Sequence, residues 1–172
     1  MGRYDGFREF VQDNGPALSR TAYLLCGDRE QAEDLLQTAL ARTVARWPQV
    51  RRGSNPAGYV RRVMINERTS RWRRRRYTEH LTAEPPDRPA TVDDLDATTW
   101  RLTLAEALAR LPPKQRAVVV LRFYEDQSES ETAELLGCSV GTVKSQAHAA
   151  LKKLRALVPS LDADLAEEGV PS

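Results

Sequence analysis

The polar side chains between Ser139 and Leu154 are of types that bind DNA. Apolar residues recur there at helical spacing and predict one buried helix face: Val140, Val143, Ala147, Leu151 and Leu154. The outward positions carry groups suited to base edges and phosphates: Thr142, Lys144, Ser145, Gln146, His148, Lys152 and Lys153. Glutamine can pair with adenine, and lysine with guanine or with a phosphate. We interpret this face as a nucleic-acid-binding surface in preference to a plain solvated one.

A short helix and a tight turn precede this face. Ala133, Leu135 and Leu136 are predicted to point inward, Gly137 permits the sharp turn, and Ser139 is a natural N-cap. Together they predict a helix-turn-helix, whose second helix enters the major groove with its N-terminal part. The base-edge candidates are Lys144, Ser145, Gln146 and His148. Thr142 would hold a phosphate at the helix start, and Lys152 and Lys153 would lie nearer the DNA backbone.

A second basic segment contains four consecutive arginines, Arg73 to Arg76. It continues a helix that Asn55 is expected to cap and Pro56 to begin. The second half of this helix holds Arg68, Arg71 and the arginine run but almost nothing apolar except Trp72, so we expect that half to face solvent or an anion. The arginines spread around the helix circumference, which favours phosphate neutralisation without base reading over a plain solvated face.

Catalysis and metal binding have little support in the sequence. His80 and His148 have no cysteine or acid at ligand spacing, and no phosphate-cradling glycine loop or hydrolase motif is present. Cys26 and Cys138 lie far apart and are expected to be small buried residues, not a disulfide or zinc site. We therefore expect a protein that is not an enzyme and needs neither cofactor nor metal.

Helices are expected to position all of these groups, so the predicted fold class is all-α. A helix over 4–13 is predicted to break at "NGP", and Pro16 to start a second helix that stops at Gly27. Asp28 with Gln31 resembles a capping box that opens a third helix, which Pro48 is expected to terminate. The apolar stripe of that helix is Ala32, Leu35, Leu36, Ala39, Thr43 and Trp47.

Charge and proline divide the chain into two small helical domains. Residues 1–76 carry 16 lysines and arginines against 8 acids, whereas 77–98 carry one arginine against six acids and form an acidic, proline-containing linker. Residues 99–158 are basic again and end in the helix-turn-helix, and 159–172 form an acidic tail. Two basic blocks around an acidic linker indicate a polyanion that each block contacts separately.

The sequence shows no membrane span and no signal peptide, so we expect a cytoplasmic protein without membrane insertion. Uninterrupted apolar runs such as 117–121 are far too short to cross a bilayer.

The chain resembles the extracytoplasmic-function sigma factors, small members of the sigma-70 family of bacterial transcription initiation factors. The resemblance rests on three collinear segments: "GDREQAEDLLQTAL", "NPAGYVRRVMINERTSRWRRRR" and "LARLPPKQRAVVVLRFYEDQSESETAELLGCSVGTVKSQ". It implies an alternative sigma factor that binds core RNA polymerase at its clamp helices and flap and recognises the promoter minus-ten and minus-thirty-five elements. Many members of the family also bind an anti-sigma factor.

The resemblance also implies roles for particular residues. Asp34, Leu35 and Gln37 would contact polymerase, although Leu35 could equally be core. The helix-turn-helix residues would read the minus-thirty-five element, with Ala149 standing where relatives commonly have arginine. The minus-ten residues would include a loop and a pocket for a flipped-out base. They are Val50, Arg51, Arg52, Ser54, Asn55, Arg61, Arg62, Asn66, Arg68, Arg71, Arg73 and Arg74.

Two other functions remain open from the sequence. A stand-alone helix-turn-helix regulator would bind DNA without polymerase, but 1–76 lack the alternating strands and helices of a receiver domain. An RNA-binding or nucleoid protein would use the arginine run without sequence preference, and its affinity would depend steeply on salt.

Overall fold

The computed structural model describes residues 2–79 and 99–158, without the side chains of residues 76, 79 and 99–103. The chain divides into two compact units, Met1–Arg88 and Pro89–Ser172. The predicted linker from His80 onward and the predicted tail lie outside the described residues.

Both units are helical, which confirms the all-α prediction. The first unit contains α1 (Phe7–Cys26), α2 (Arg29–Ala45), α3 (Trp47–Val50) and α4 (Pro56–Glu79). The second contains α5 (Thr99–Ala109), α6 (Pro113–Val119) with a π-helical continuation (Val120–Tyr124), α7 (Glu129–Leu136) and α8 (Val140–Leu157). Over the described residues there is no strand, and none of their helices is long and apolar enough to cross a membrane.

The predicted helix break at "NGP" is wrong, because α1 runs without interruption through Pro16. Proline removes one helical hydrogen bond and crowds the carbonyl four residues earlier, which costs about 3 kcal/mol. Here Gln12, whose carbonyl loses its helical donor, and Pro16 are both exposed residues. Phe10 and Leu18 are buried on either side of the proline, and their packing offsets the cost.

The third predicted helix is confirmed at its start and corrected at its end. Asp28 caps α2 by accepting a hydrogen bond from the Gln31 backbone N–H at 2.9 Å. The helix ends at Ala45, and Trp47 begins the short helix α3, with Pro48 as its second residue. Pro48 therefore sits in a first helical turn, where its missing N–H costs nothing.

Trp47 anchors α3 to the N-terminal end of the unit. Its ring centroid lies 5.1 Å from the centroids of both Phe7 and Phe10. Its indole Nε1–H donates to the Asp5 carbonyl at 2.8 Å, so the buried ring has a partner for its polar atom.

Helix α4 completes the first core. The Asn55 side chain accepts from the Gly58 backbone N–H at 2.8 Å, as the predicted N-cap requires. Val60, Met64 and Ile65 are buried and share a core with helices α1 and α2, which contribute Leu18 and Leu35. The helix extends to Glu79, three residues beyond the end of the arginine run.

The second core forms around α6 and α8. Helix α6 begins at Pro113, and Val118, Leu121, Val143 and Leu154 are buried. Arg116 is also buried, and its guanidinium donates to the carbonyls of Leu108 and Ala109 at 2.8 and 2.7 Å. These carbonyls end α5, where a positive charge is favourable because of the helix dipole. Arg116 thus fastens α5 to α6.

Candidate nucleic-acid interface

Local capping hydrogen bonds hold the helix-turn-helix together. Gly137 ends α7 in the left-handed conformation (φ 64°), and its N–H and that of Cys138 bond to the last carbonyls of the helix. The Ser139 hydroxyl accepts from the Thr142 backbone N–H at 3.1 Å and starts α8. The sequence therefore specifies the turn through residues only a few positions apart.

The structure places most of the predicted reading residues on the surface of α8. Lys144, Ser145, His148, Lys152 and Lys153 are exposed, while Thr142 and Gln146 are half-buried. The predicted buried face is correct for Val143 and Leu154 but wrong for Val140, which is 37% exposed. Ala150 is fully buried in its place, because α8 packs against both α6 and α7 and its apolar face is correspondingly rotated.

Lys144 has a partner that the sequence analysis did not anticipate. Its Nζ lies 3.6 Å from the Glu129 carboxylate in the first turn of α7. Both side chains are partly exposed, so the pair contributes little to stability. DNA phosphate or a guanine edge could replace Glu129 at this lysine.

Asn66 opens onto a cavity of about 420 Å³ in the first unit. Its walls come from the end of α2, from Arg46 directly after that helix, and from α4: Arg42, Ala45, Arg46, Tyr59, Val63 and Asn66. An amide, an aromatic ring and two guanidinium groups around one concavity can hydrogen-bond and stack a nucleobase while neutralising its phosphate. Residues of the 51–55 loop do not line this cavity.

The candidate loop itself is only partly exposed. Val50 is 8% exposed and packs in the core, so its side chain is not presented on the surface. Arg51 is half-buried and its guanidinium lies 3.4 Å from the Asp5 carbonyl. Arg52 and Ser54 are exposed, and Asn55 uses its side chain to cap α4.

The α4 arginines differ in their surroundings. Arg62, Arg73 and Arg74 are exposed, and Arg61 is half-buried. Arg68 turns toward α1 and donates from Nε to the Leu25 carbonyl at 3.3 Å. Its pKa is lowered, first because burial disfavours the charged form; the Cys26 sulfur opposes this, and Arg75 and Arg71 add to it. The expectation that this half of α4 faces only solvent or an anion is therefore wrong for Arg68.

Glu67 is a buried acid that holds three arginines. Its side chain is 7% exposed and lies 2.8 Å from Arg42, 3.7 Å from Arg71 and 3.6 Å from Arg74. The Arg71 guanidinium also forms an ion pair with Asp34 at 2.7 Å and donates to the Thr38 hydroxyl at 3.2 Å. Arg71 and Arg74 therefore already have anionic partners before any DNA arrives.

The predicted polymerase-contact residues separate into two groups. Asp34 and Gln37 are exposed on α2, whereas Leu35 is fully buried and is a core residue.

Of the predicted small buried cysteines, Cys26 is buried and Cys138 only half-buried. His148 lies on α8 and His80 lies outside the described residues. Among the residues that the structure describes, no cluster of histidines, cysteines and acids could hold a metal ion.

Sequence reasoning missed Glu67, Glu129 and the wall residues Arg42, Arg46 and Tyr59. Glu67 could have been found, since it precedes Arg71 by four residues on a helix, a spacing that pairs opposite charges. The Ser128–Glu131 capping box of α7 follows an S-x-x-E pattern and was equally visible. The contacts of Glu67 with Arg42 and of Glu129 with Lys144 join different helices, so no local sequence pattern indicates them.

Comparison with protein families agrees with this architecture. Residues 10–78 match the family model "Sigma-70 region 2", and residues 101–154 match "Sigma-70, region 4". The two matched segments correspond to the two units.

Similar proteins cover nearly the whole chain. The "RNA polymerase sigma-E factor" of Streptomyces coelicolor is 45% identical over 95% of this chain and 92% of its own length. The "ECF RNA polymerase sigma factor SigL" of Mycobacterium tuberculosis is 32% identical over 90% and 89%. Among solved structures, the sigma factor RpoE of Bartonella quintana, crystallised with the anti-sigma factor NepR, is 26% identical with a TM-score of 0.71, covering 89% of this chain and 96% of that one. The chain belongs to the sigma-70 family of RNA polymerase sigma factors, in its extracytoplasmic-function group.

Proposed function

We propose that this protein is an alternative sigma factor that binds core RNA polymerase, recognises the minus-ten and minus-thirty-five promoter elements and directs transcription initiation. The observation that carries the proposal is the pairing of two reading surfaces in one chain. One is the exposed polar face of α8 in a capped helix-turn-helix, and the other is the Asn66 cavity between α2 and α4.

The second unit would bind the duplex minus-thirty-five element. Lys144, Ser145, Gln146 and His148 occupy the part of α8 that enters the major groove in this motif. Thr142, Lys152 and Lys153 would bind the phosphates at either end and fix the register of the helix. On binding, Lys144 would leave its ion pair with Glu129 and contact the DNA instead.

The first unit would capture the minus-ten element once its strands separate. Flipping a base out of the stack costs a few kcal/mol, which a fitted pocket must offset. Asn66 would hydrogen-bond the flipped base, and Tyr59 and Val63 would form apolar walls. Arg51, Arg52, Ser54, Asn55, Arg61, Arg62 and Arg73 would contact neighbouring nucleotides. Arg68, Arg71 and Arg74 would contribute positive charge from beside the DNA-binding face, and Val50 would support the loop from the core.

Polymerase would hold the two units and do the chemistry, so the chain needs no catalytic group of its own. Asp34 and Gln37 on α2 would bind the clamp helices, with Leu35 keeping α2 in place, and the second unit would bind the flap. Linking both units to one enzyme raises the effective concentration of each at its promoter element. We place this activity in the cytoplasm, with an anti-sigma factor as a further partner.

The proposed division into domains follows the same logic. Residues 1–76 would form the polymerase and minus-ten domain, 77–98 the linker, 99–158 the minus-thirty-five domain and 159–172 the tail; residues 77–79 at the start of the linker continue α4. The family-model matches at 10–78 and 101–154 support this division.

Substituting Asn66 tests the pocket assignment. Asn66→Ala should impair open-complex formation, measured by permanganate reactivity of unpaired thymines, while association with core polymerase stays close to wild type. Asn66 is exposed, so its loss should not disturb the core. Loss of polymerase association in this variant, or normal strand opening, would overturn the assignment.

A further inference from the structure

A second cavity lies on the other side of α4 from Asn66 and has a different character. It has a volume of about 350 Å³ and is bounded by the end of α1, the start of α2 and the arginine-rich half of α4. Its polar walls are formed by four arginines, Arg68, Arg71, Arg74 and Arg75, with the single carboxylate of Asp34. Cys26, Gln31 and Leu35 complete the lining. We call it the arginine cavity.

The helical periodicity of α4 places this cavity on a different side of the helix from Asn66. An α-helix has about 3.6 residues per turn, so residues seven apart share a face and residues two apart point to roughly opposite sides. Asn66 and Arg73 are seven residues apart and share one face of α4. Arg68 and Arg75 each follow one of them by two residues, so they share a face on the roughly opposite side. The hydrogen bond from Arg68 to the Leu25 carbonyl fixes this second face against α1. A DNA strand read by Asn66 would thus lie away from the arginine cavity.

The charges in the arginine cavity are not balanced within the described residues. Asp34 is paired with Arg71 at 2.7 Å, and Arg74 is 3.6 Å from Glu67. Among the side chains that the structure describes, which do not include Glu79, Arg75 has no ion-pair or hydrogen-bond partner. Burial lowers the pKa of Arg68, and Arg75 and Arg71 lower it further by repulsion. Bringing an anion into the cavity would relieve this repulsion.

We propose that the arginine cavity is a binding site for a small phosphorylated anion. Guanidinium groups bind phosphate oxygens through paired N–H donors, and several of them around one concavity can hold a group with more than one phosphate. The cavity volume falls at the low end of the range typical of small-molecule sites. Asp34 would compete with the anion for Arg71, so the bound anion would weaken the Asp34–Arg71 pair.

The site can be tested on the full chain by isothermal titration calorimetry with sodium pyrophosphate. We expect one saturable site, and Arg75→Gln should weaken binding about tenfold, because a charge-assisted contact is lost. Asp34→Asn should tighten binding, because the competing carboxylate is removed. Arg73→Gln is the matched control, since it removes the same charge from the Asn66 face of the same helix, and should leave pyrophosphate affinity unchanged.

A second titration, with single-stranded DNA, distinguishes the small anion from the nucleic-acid backbone. Arg73→Gln should weaken binding of the single strand and Arg75→Gln should not. Equal losses of pyrophosphate affinity in the two variants would indicate diffuse surface attraction and would overturn the proposal. The same conclusion would follow if wild type failed to bind pyrophosphate at about millimolar concentration, or if Arg75→Gln weakened binding of the single strand as strongly as pyrophosphate binding. The pyrophosphate titrations need neither polymerase nor promoter DNA, so a failure of the proposed sigma-factor activity would leave their outcome unchanged.

Discussion

The two units hold their positive charge in different ways. In the second unit the lysines of α8 are exposed, and the one ion pair that the structure records among them, Lys144 with Glu129, is long and partly solvated. In the first unit the buried carboxylate of Glu67 engages Arg42, Arg71 and Arg74. A surface of exposed lysines can bind a duplex, whereas a network of arginines paired with a buried carboxylate also stabilises the fold. Basic residues in a charged segment can therefore bind a ligand, stabilise the fold or do both.

The largest effect should come from Leu35, where core and polymerase-contact roles compete. Leu35→Ala should lower the unfolding free energy of the first unit by about 2–5 kcal/mol, because it leaves a cavity in a fully buried site. Urea denaturation followed by circular dichroism measures this. Gln37→Ala, on the exposed side of the same helix, should leave stability nearly unchanged. If Leu35→Ala were as stable as wild type, the core assignment would be wrong and Leu35 would be reassigned to polymerase contact.

Gln146 tests whether the exposed face of α8 reads bases. Gln146→Ala should cost about 1–3 kcal/mol of discrimination between matched and mismatched minus-thirty-five elements, measured by competition binding of the polymerase complex. Lys153→Ala is the comparison, because loss of a phosphate contact should weaken all sequences alike. A uniform loss with Gln146→Ala would reassign that residue to phosphate binding.

Ser139 tests how far the reading helix depends on its cap. Ser139→Ala should lower the unfolding free energy of the second unit by about 1 kcal/mol, since the Thr142 N–H loses its acceptor. Thermal unfolding detects a change of this size. Ser130→Ala, at an exposed position inside α7, removes the same hydroxyl without a cap and should be neutral or slightly stabilising. An equal loss in both variants would show that the cap is unimportant.

The smallest effect concerns pH and Glu131. Hydrogen bonds from the Ser128 backbone and side chain hold the pKa of Glu131 below its ordinary value of 4.5. A depressed folded-state pKa means that the stabilisation is present above the unfolded pKa and is lost as pH falls through the folded value. The stability of the second unit should therefore drop slightly on acidification below about pH 4.5, and Glu131→Gln should remove that part of the dependence. An unchanged pH profile in the variant would contradict the capping assignment.

Local features were predictable from the sequence and long-range pairs were not. The Asp28, Asn55 and Ser139 caps and the Gly137 turn each depend on residues within a few positions, and all are present. Pro16 signals a helix break locally, but the buried residues Phe10 and Leu18 on either side of it pack in the core and keep α1 continuous. The partners of Arg71 lie 37 and 33 residues away on α2, so only the fold shows that it is already engaged.

In vitro transcription with purified core RNA polymerase and a library of promoter fragments tests whether this chain directs polymerase to promoters. We predict transcripts that require this chain, from templates that share two separated sequence elements, with Asn66→Ala and Gln146→Ala each relaxing the requirement at a different one. The account would be contradicted if the chain directed polymerase to no template, or if both variants relaxed the same element.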